Sequence, residues 1–411
     1  MGDANAAVVR AFRSDYGRTV AVLMRLLGDL DAAEDAVQEA FTVAAETWPT
    51  QGVPPNPQAW VVTVARRRAL DRLRRDSTAQ RHQADLLAPP AADAGSASEV
   101  DDELRLVLLC AHPALSPQSQ VALTLRFVGG LTAAEIARAF GVPEATMAQR
   151  LSRAKAKVRD ASIRMRLPEP AIWRDRVDVA LAVVYGIYNE GYVTTSGALT
   201  RHDLTTEAVR LARHLHGLAR DDGETRGLLA LLLLLHAREA ARVASDGSLV
   251  PLPRQDRSLW NRALISEGQQ LVRECLAAGD PGQYQIQAAI QAVHSDALTD
   301  ADTDWRQIVA LYDQLLGFVA TPSVRAARAV AVGRLRGPEA GLAALMPEDS
   351  AEHPADSAPG QEDHYAMAVR ASLLAELGRS AEAAEAFRRA AHLTENAAER
   401  ELLLRRSKEP R

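Results

Sequence analysis

Five basic side chains that could bind a polyanion share one predicted helix: Arg150, Arg153, Lys155, Lys157 and Arg159. Leu151, Ala154 and Val158 recur among them at helical spacing and are expected to face the protein core. Four polar side chains then project outward, where they can contact phosphates and base edges in a DNA major groove: Gln149, Arg150, Arg153 and Lys157. An ordinary amphipathic helix with a solvated basic face is the alternative interpretation.

A shorter helix is predicted immediately before the basic one. Thr132 is followed three residues later by Glu135, which is the pattern of a capping box at a helix start. Gly141 suits the left-handed residue that ends this helix, and Pro143 suits the first position of the next one. The short turn between them contains glycine, so residues 131–159 predict a helix-turn-helix.

Two further helices of opposite charge are predicted nearer the N-terminus. The helix over residues 58–75 carries six arginines against the single acid Asp71, and such a helix repels itself unless phosphates neutralise it. Residues 31–48 form an acidic helix with an apolar stripe, which indicates either a solvated surface or a docking face for a basic partner. Residues 50–57 lie between the two and contain three prolines and a glycine, so we expect no helix there.

Composition predicts an all-α protein. The chain has 411 residues, a net charge of −5 and 4% aromatic residues, and it is rich in Ala, Leu and Arg. Cys110 and Cys275 lie among apolar residues and are expected in the core, and no histidine or cysteine cluster has metal-ligand spacing. We therefore expect no cofactor and no metal. Residues 227–236 are the longest apolar run, too short for a bilayer, and no signal pattern precedes them, which indicates a cytoplasmic protein without membrane attachment.

Three helical domains are expected along the chain. Residues 3–75 and 103–166 form two small domains, and the aperiodic residues 76–102, rich in Ala, Asp, Ser and Pro, form a flexible linker between them. Prolines at 168 and 170 mark the start of a third domain over residues 168–411.

A helical repeat is predicted near the end of the third domain. Residues 364–397 fit one tetratricopeptide unit, with small or apolar residues at its contact positions and Gly378 in its turn. These contact positions are Ala371, Ala383, Phe387 and Ala390. A weaker and shorter copy precedes it at residues 326–345, and such repeats usually bind peptides or other proteins.

Two long motifs resemble a known family. DAAEDAVQEAF, a proline-rich loop and PQAWVVTVARRRALDRLRR resemble region two of the extracytoplasmic-function sigma factors of bacterial RNA polymerase. LSPQSQVALTLRFVGGLTAAEIARAFGVPEATMAQRLSRAKAKVR resembles their region four. The resemblance implies an alternative sigma factor with core RNA polymerase and promoter DNA as partners.

The resemblance assigns three sets of site residues. The polymerase-binding set lies on the acidic helix: Asp31, Glu34, Asp35, Gln38, Glu39 and Phe41. The set that captures and opens the downstream promoter element is Asn56, Trp60, Arg66, Arg67, Arg68 and Arg72. The upstream element is read at bases by Glu144, Thr146, Gln149 and Arg150 and held at phosphates by Arg153, Lys155 and Lys157. Arg67 stands where the family often has Asn, so the promoter sequences of other family members are not expected to apply to this chain.

Stretches of the third domain resemble one group within that family. YNEGYVTTSG, QDRSLWNRALI and DTDWRQIVALYDQLL are similar to the sigma factors that carry a tetratricopeptide-like C-terminal domain. Genes of that group tend to lie beside small proteins with a DGPF motif, which the resemblance suggests as a further partner. It also implies that the C-terminal domain controls the sigma domains within the same chain.

Several polar residues of the third domain suggest a regulatory ligand site: Asn189, Glu190, Tyr192, Asp256, Arg257 and Trp305. Helix caps and buried hydrogen-bonded pairs are the more ordinary interpretation. No phosphate-binding glycine loop and no nucleophile beside a histidine appear, so we expect no catalysis. The alternative function is a one-component helix-turn-helix regulator that binds operator DNA without polymerase, although such a protein needs neither the acidic helix nor the second basic helix.

Overall fold

The computed structural model describes residues 2–80, 99–140, 142–192, 202–244, 249–345, 363–394 and 397–408. The chain divides into two compact units, an N-terminal unit of residues 1–187 and a C-terminal unit of residues 188–411. This division falls within a long helix rather than at the predicted boundary near residue 168. The described residues of both units are helical, as the sequence predicted, apart from turns and one isolated β-bridge between Val243 and Leu249.

The helices of the N-terminal unit are α1 (Gly2–Leu27), α2 (Leu30–Gln51), α3 (Pro57–Gln80), α4 (Glu99–Cys110), α5 (Pro117–Leu123), α6 (Ala133–Ala139), α7 (Glu144–Asp160) and α8 (Trp173–Tyr192), which runs on into the C-terminal unit. One π-helical turn, Thr124–Val128, extends α5. Helices α1, α2 and α3 pack together around a core that includes Val20, Leu23, Val37, Ala44 and Trp48.

Local signals set most of these helix ends. The Asp29 carboxylate caps α2 by accepting a hydrogen bond from the Ala32 N–H at 2.8 Å. The predicted capping box is present at α6, where Thr132 and Glu135 satisfy each other's backbone N–H groups. Pro143 precedes α7 and the helix begins at Glu144, while Gly141 lies outside the described residues.

The structure differs from the predicted loop and linker at their edges. Helix α2 continues through Pro49 to Gln51, so the interruption before α3 is shorter than residues 50–57. Both ends of the predicted linker are helical, because α3 runs to Gln80 and α4 begins at Glu99. Residues 81–98, its middle part, lie outside the described residues.

The C-terminal unit stacks successive helices: α9 (His202–Leu218), α10 (Gly223–His236), α11 (Arg262–Ala278), α12 (Gln283–Asp296), α13 (Trp305–Leu315), α14 (Pro322–Arg336), α15 (Pro338–Leu345), α16 (His364–Glu376), α17 (Ser380–Leu393) and α18 (Ala397–Arg406). Helix α10 packs against α9, α11 and α12, and its residues from Leu228 to Leu234 are all buried. A helix that is apolar on all sides is stable in water only when its neighbours bury it, as they do here.

Helices α16 and α17 form the predicted repeat. Gly378 adopts φ 73° in the turn between them, a left-handed conformation that glycine reaches without strain. Ala371, Ala383, Phe387 and Ala390 are buried where the two helices meet, as the repeat pattern requires. Helices α14 and α15 make a shorter hairpin around Gly337, which corresponds to the weaker copy.

Both cysteines are free and buried, as expected. None of the helices in the described ranges combines the length and apolarity needed to cross a membrane.

We predict that Gly227→Ala destabilises the protein. A Cβ at this position of α10 would lie 2.6 Å from the Gln285 backbone nitrogen, so α12 must move away. Such overpacking costs about 1–3 kcal/mol, which exceeds the gain of about 1 kcal/mol that alanine normally brings to a helix. Urea unfolding followed by circular dichroism measures the difference.

Gly217→Ala in α9 is the matched control, because a Cβ there meets nothing within 4 Å. We expect it to be neutral or stabilising by up to about 1 kcal/mol. Equal free energies of unfolding for the two variants would contradict the close approach of α10 and α12.

Candidate functional site

The acidic face of α2 is covered by cations from the second half of the N-terminal unit. Glu34 is 9% exposed and accepts hydrogen bonds from the Arg126 guanidinium, with Nε at 2.6 Å. Arg126 also donates from Nη1 to the Leu131 backbone oxygen at 2.8 Å, which fixes it across the turn before α6. Both side chains of the pair are largely buried, so this ion pair is poorly screened by solvent.

Two residues of α7 join the same acidic face. The Lys155 ammonium forms an ion pair with Asp31 and lies 3.5 Å from Oε2 of Glu34. Arg159 lies 3.7 Å from the second carboxylate oxygen of Asp31. Asp31 is half exposed, and exposed ion pairs of this kind contribute roughly 0–1 kcal/mol each.

Helix α1 also meets the second half of the N-terminal unit closely. A Cβ at Gly17 would lie 2.7 Å from the Val128 carbonyl oxygen, so only glycine permits this approach to the π-helical turn. Arg25 of α1 reaches the buried Asp102 of α4, with Nε 2.8 Å from the carboxylate. We call these approaches, together with the ion pairs of Glu34 and Asp31, the closed contact.

Burial raises the pKa of Tyr16, which lies among the residues of the closed contact. Its ring is 1% exposed, and burial raises the pKa of the hydroxyl well above its ordinary value, although Arg126 acts in the opposite direction. The phenol is therefore neutral at physiological pH. Tyr16 packs against Gly130, whose φ of 72° turns the chain toward α6.

The predicted polymerase-binding residues divide into three groups. Asp35, Gln38 and Glu39 are exposed on α2, whereas Asp31 and Glu34 are engaged in the closed contact. Phe41 is 6% exposed and its ring lies 4.9 Å from that of Phe12. A ring in that position supports the packing of α1 on α2, and a part for Phe41 in polymerase binding stays a prediction.

The predicted downstream residues lie at the start and along the outer face of α3. Asn56 caps the helix by accepting a hydrogen bond from the Ala59 N–H at 3.0 Å. Trp60 is half buried and packs edge-on against Trp48 at 5.5 Å between ring centroids. Arg66, Arg67 and Arg68 are exposed, and the side chain of Arg72 lies outside the described residues.

Helix α7 presents most of the predicted upstream residues to solvent. Leu151, Ala154 and Val158 are buried as predicted, together with Met147. The exposed residues are Glu144, Thr146, Gln149, Arg153 and Lys157, and Arg150 is half buried. Lys155 differs from the expectation, because its ammonium turns toward α2.

The predicted regulatory residues of the C-terminal part fall into two neighbouring arrangements. Arg257 donates from Nη1 to the backbone oxygens of His294 at 2.7 Å and Ala297 at 2.6 Å, and Trp305 packs edge-on against the His294 ring. Tyr192 lies under the Arg242 guanidinium, which also donates to its backbone oxygen at 3.0 Å. Asn189 and Asp256 are exposed, Glu190 is half buried, and Asp256 caps the short turn that contains Arg257.

Sequence reasoning missed the buried members of this region. Arg238 is 3% exposed and donates to the Gln291 side chain at 2.5 Å, while its Nη1 has no hydrogen-bond partner among the described residues. Its guanidinium and that of Arg257 both face the ring of the buried Trp260. The position of Arg238 two residues after the end of α10, close to an apolar run, was the available signal.

His294 is kept neutral by this environment. Burial is the main cause that lowers its pKa to about 3, and the positive charges of Arg238 and Arg257 lower it further. A neutral imidazole can therefore pack against Trp305 without bringing a third cation into the cluster.

We predict that the C-terminal unit loses stability in acid through His294. Its folded-state pKa lies below the unfolded value near 6.5, so the contribution is complete above pH 6.5 and is lost as pH falls toward 3. The free energy of unfolding should fall by about 2 kcal/mol between pH 7 and pH 5. Urea titrations of the full chain at each pH measure this fall.

The non-titrating variant His294→Gln should lose that part of the pH dependence. His392→Gln, at an exposed position of α17, is the control and should keep it. An identical acid response in the wild type and His294→Gln would refute the assignment.

Comparison with known families agrees with this architecture. The family Sigma-70 region 2 matches residues 11–78, and Sigma-70 region 4 matches residues 105–158. A family of unknown function, DUF6596, matches residues 176–276. No solved structure matches the chain.

Similar proteins extend the comparison. "Uncharacterized protein R00370" of Rhizobium meliloti is 39% identical over 93% of this chain and 90% of its own length. "Probable ECF RNA polymerase sigma factor SigI" of Mycobacterium tuberculosis is 31% identical over 38% of this chain, which spans 56% of that protein. "ECF RNA polymerase sigma factor SigK" of Mycobacterium ulcerans is 30% identical over 35% of this chain and 75% of its own length. The chain therefore belongs to the ECF family of RNA polymerase sigma factors and carries a C-terminal helical extension.

Proposed function

We propose that this chain is an alternative sigma factor that binds core RNA polymerase through α2 and promoter DNA through α3 and α7. The observation that carries the proposal is the presence of one acidic helix face and two exposed basic helix faces in a single compact unit. Asp35 and Glu39 remain exposed on α2, and Arg66, Arg67 and Arg68 are exposed on α3. A basic partner and a polyanion are the complementary surfaces for these charges.

The exposed side chains of α7 suit the upstream promoter element. Gln149 and Arg153 can reach base edges and phosphates without rearrangement, because Met147, Leu151, Ala154 and Val158 already occupy the core. Trp60 beside the arginines of α3 supplies an aromatic surface next to a cationic one, which is the combination that holds unstacked bases.

The closed contact suggests how the free protein is kept inactive. Asp31 and Glu34 belong to the proposed polymerase-binding face, yet they pair with Arg126, Lys155 and Arg159. Lys155 belongs to the proposed DNA-binding face. Each surface thus masks part of the other, and the masked residues become available only when the closed contact opens.

A one-component regulator is the second candidate, and its defining property is different. It binds operator duplex tightly without polymerase, usually as a dimer on symmetric half-sites. The closed contact disfavours it, since a repressor has no use for an acidic face that competes with DNA for its own recognition helix.

We further propose that the C-terminal unit regulates the sigma domains of the same chain. Its helical repeats at α14–α17 are of the kind that bind peptides or proteins. The small DGPF-motif protein suggested by the family resemblance is a proposed partner for this unit.

We predict that Gly17→Ala strengthens binding to core RNA polymerase. The added methyl group collides with the Val128 oxygen only in the closed contact, and it leaves every proposed polymerase and DNA contact unchanged. A clash of about 1–3 kcal/mol shifts the equilibrium toward the open form, so the apparent Kd should fall on the order of tenfold. Fluorescence anisotropy of labelled chain with purified core polymerase gives the Kd.

Gly186→Ala in α8 is the matched control, because its Cβ meets nothing within 4 Å and its affinity should equal that of the wild type. A wild-type chain that binds promoter duplex tightly and core polymerase not at all would overturn the proposed function. Polymerase binding with no difference between Gly17→Ala and Gly186→Ala would instead remove only the closed-form mechanism.

We also predict that removal of residues 188–411 changes promoter-specific transcription. The cut follows the division between the two units and preserves the Arg176 hydrogen bond to the Leu108 oxygen at 2.5 Å. Allosteric coupling of about 1–3 kcal/mol corresponds to a change of roughly 5–150-fold in transcript yield. Reconstituted transcription with saturating polymerase measures the transcript yield of the shortened chain and of the full chain. Equal yields from the two chains, at every ionic strength and with added partner protein, would exclude control by the extension.

A further inference from the structure

Three potential metal ligands converge where α9 begins and α10 ends. His202 is the first residue of α9, His236 is the last residue of α10, and Glu239 opens the short helical turn that follows. Nδ1 of His202 lies 3.1 Å from Oε2 of Glu239, and Nδ1 of His236 lies 2.8 Å from the same oxygen. All three donor atoms lie within 4.8 Å of one another.

Hydrogen bonding accounts for only part of this arrangement. The buried Nδ1 of His236 makes no hydrogen bond within the described residues, although it lies 2.8 Å from the carboxylate. Ring nitrogens of two histidines face one carboxylate oxygen, and a neutral imidazole offers a lone pair at the ring nitrogen that carries no proton. A cation among the three atoms would use both nitrogen lone pairs and the carboxylate charge.

The surroundings of Glu239 resemble those of a supported ligand. Thr205 is 1% exposed, and its hydroxyl lies 3.1 Å from Oε1, the carboxylate oxygen that does not face the histidines. Hydrogen bonds of this kind orient metal ligands and are part of most metal sites.

The geometry fits a small divalent transition metal. Imidazole nitrogens and carboxylate oxygens bind Zn²⁺ at about 2.0–2.2 Å, which places tetrahedral donors roughly 3.4 Å apart. The two nitrogen-to-carboxylate separations, 3.1 Å and 2.8 Å, need to open by only a few tenths of an ångström, while the two histidine nitrogens, which lie within 4.8 Å of each other, must come to about the same spacing. The His202 side chain is 71% exposed, so one side of the site is open to a fourth ligand.

We infer that His202, His236 and Glu239 form a binding site for a divalent transition metal of the zinc type, with Thr205 as a positioning residue. Two imidazoles and one carboxylate leave a coordination position open, as in metal sites that bind an exchangeable ligand. The site lies in the C-terminal unit and does not depend on the proposed function. From the sequence we expected no metal site, because no histidine or cysteine cluster has metal-ligand spacing. These ligands come instead from α9, from α10 and from the turn after α10, which meet only in the fold.

Zn²⁺ binding to the full chain tests the inference. Metal-free protein is titrated with Zn²⁺ in competition with a chromophoric chelator, and Co²⁺ is added separately to record its visible absorption. We expect a site that is lost in His202→Ala and Glu239→Gln, with affinity reduced on the order of 100-fold or more, and weakened roughly tenfold in Thr205→Val. His392→Ala, which removes an exposed histidine of α17, should bind like the wild type.

Thermal unfolding separates metal binding from structural damage. Saturating Zn²⁺ should raise the Tm of the wild type and of His392→Ala, but not that of His202→Ala, because a ligand of the folded state stabilises it by mass action. His202 is exposed, so its variant is expected to keep the metal-free Tm even where Glu239→Gln does not fold. Wild-type affinity and the same Zn²⁺-dependent Tm shift in His202→Ala would overturn the inference.

Discussion

The ion pair between Glu34 and Arg126 is the interaction on which the closed N-terminal unit depends. It joins the acidic face of α2 to the π-helical turn after α5, and both side chains are largely buried. Removing one partner of a buried pair typically costs about 3–5 kcal/mol, because the remaining charge has lost both its partner and its water. Separating the pair into solvent costs much less, because both groups are rehydrated. Mutation of either residue is therefore costly, whereas separation of the two halves of the N-terminal unit is not.

The contacts around this pair differ in how they respond to solution conditions. Lys155 and Arg159 meet a half-exposed Asp31, so their attraction weakens as salt rises. The approach of Gly17 to Val128 is steric and has no such dependence. Arg25 and the fully buried Asp102 lie between these cases, since one partner is half exposed. Salt alone therefore weakens the ion pairs of the closed contact but leaves the steric fit between Gly17 and Val128 unchanged.

Local rules predicted the helices well, because periodicity and capping are properties of adjacent residues. Leu151, Ala154 and Val158 are buried, as their helical spacing predicted, and the capping box at Thr132 is present. The same reasoning failed where distant segments meet. The pairing of Lys155 with Asp31 was not foreseen, because the two residues are far apart in the sequence. The buried group of Arg238, Trp260 and His294 joins three segments that are distant in the sequence, and no short window of sequence contains it.

The opposite charges of α2 and α7 follow from the two partners that we propose. A surface for a basic protein partner is acidic and a surface for DNA is basic, so the two attract each other within one chain. Because one chain carries both surfaces, each is present at a high effective concentration for the other. Self-masking is then a consequence of the function, and the steric fit at Gly17 only adds specificity. Polymerase and promoter together can open the closed contact. A basic surface of the polymerase replaces the cations that α2 loses, and the promoter phosphates replace the carboxylates that α7 loses.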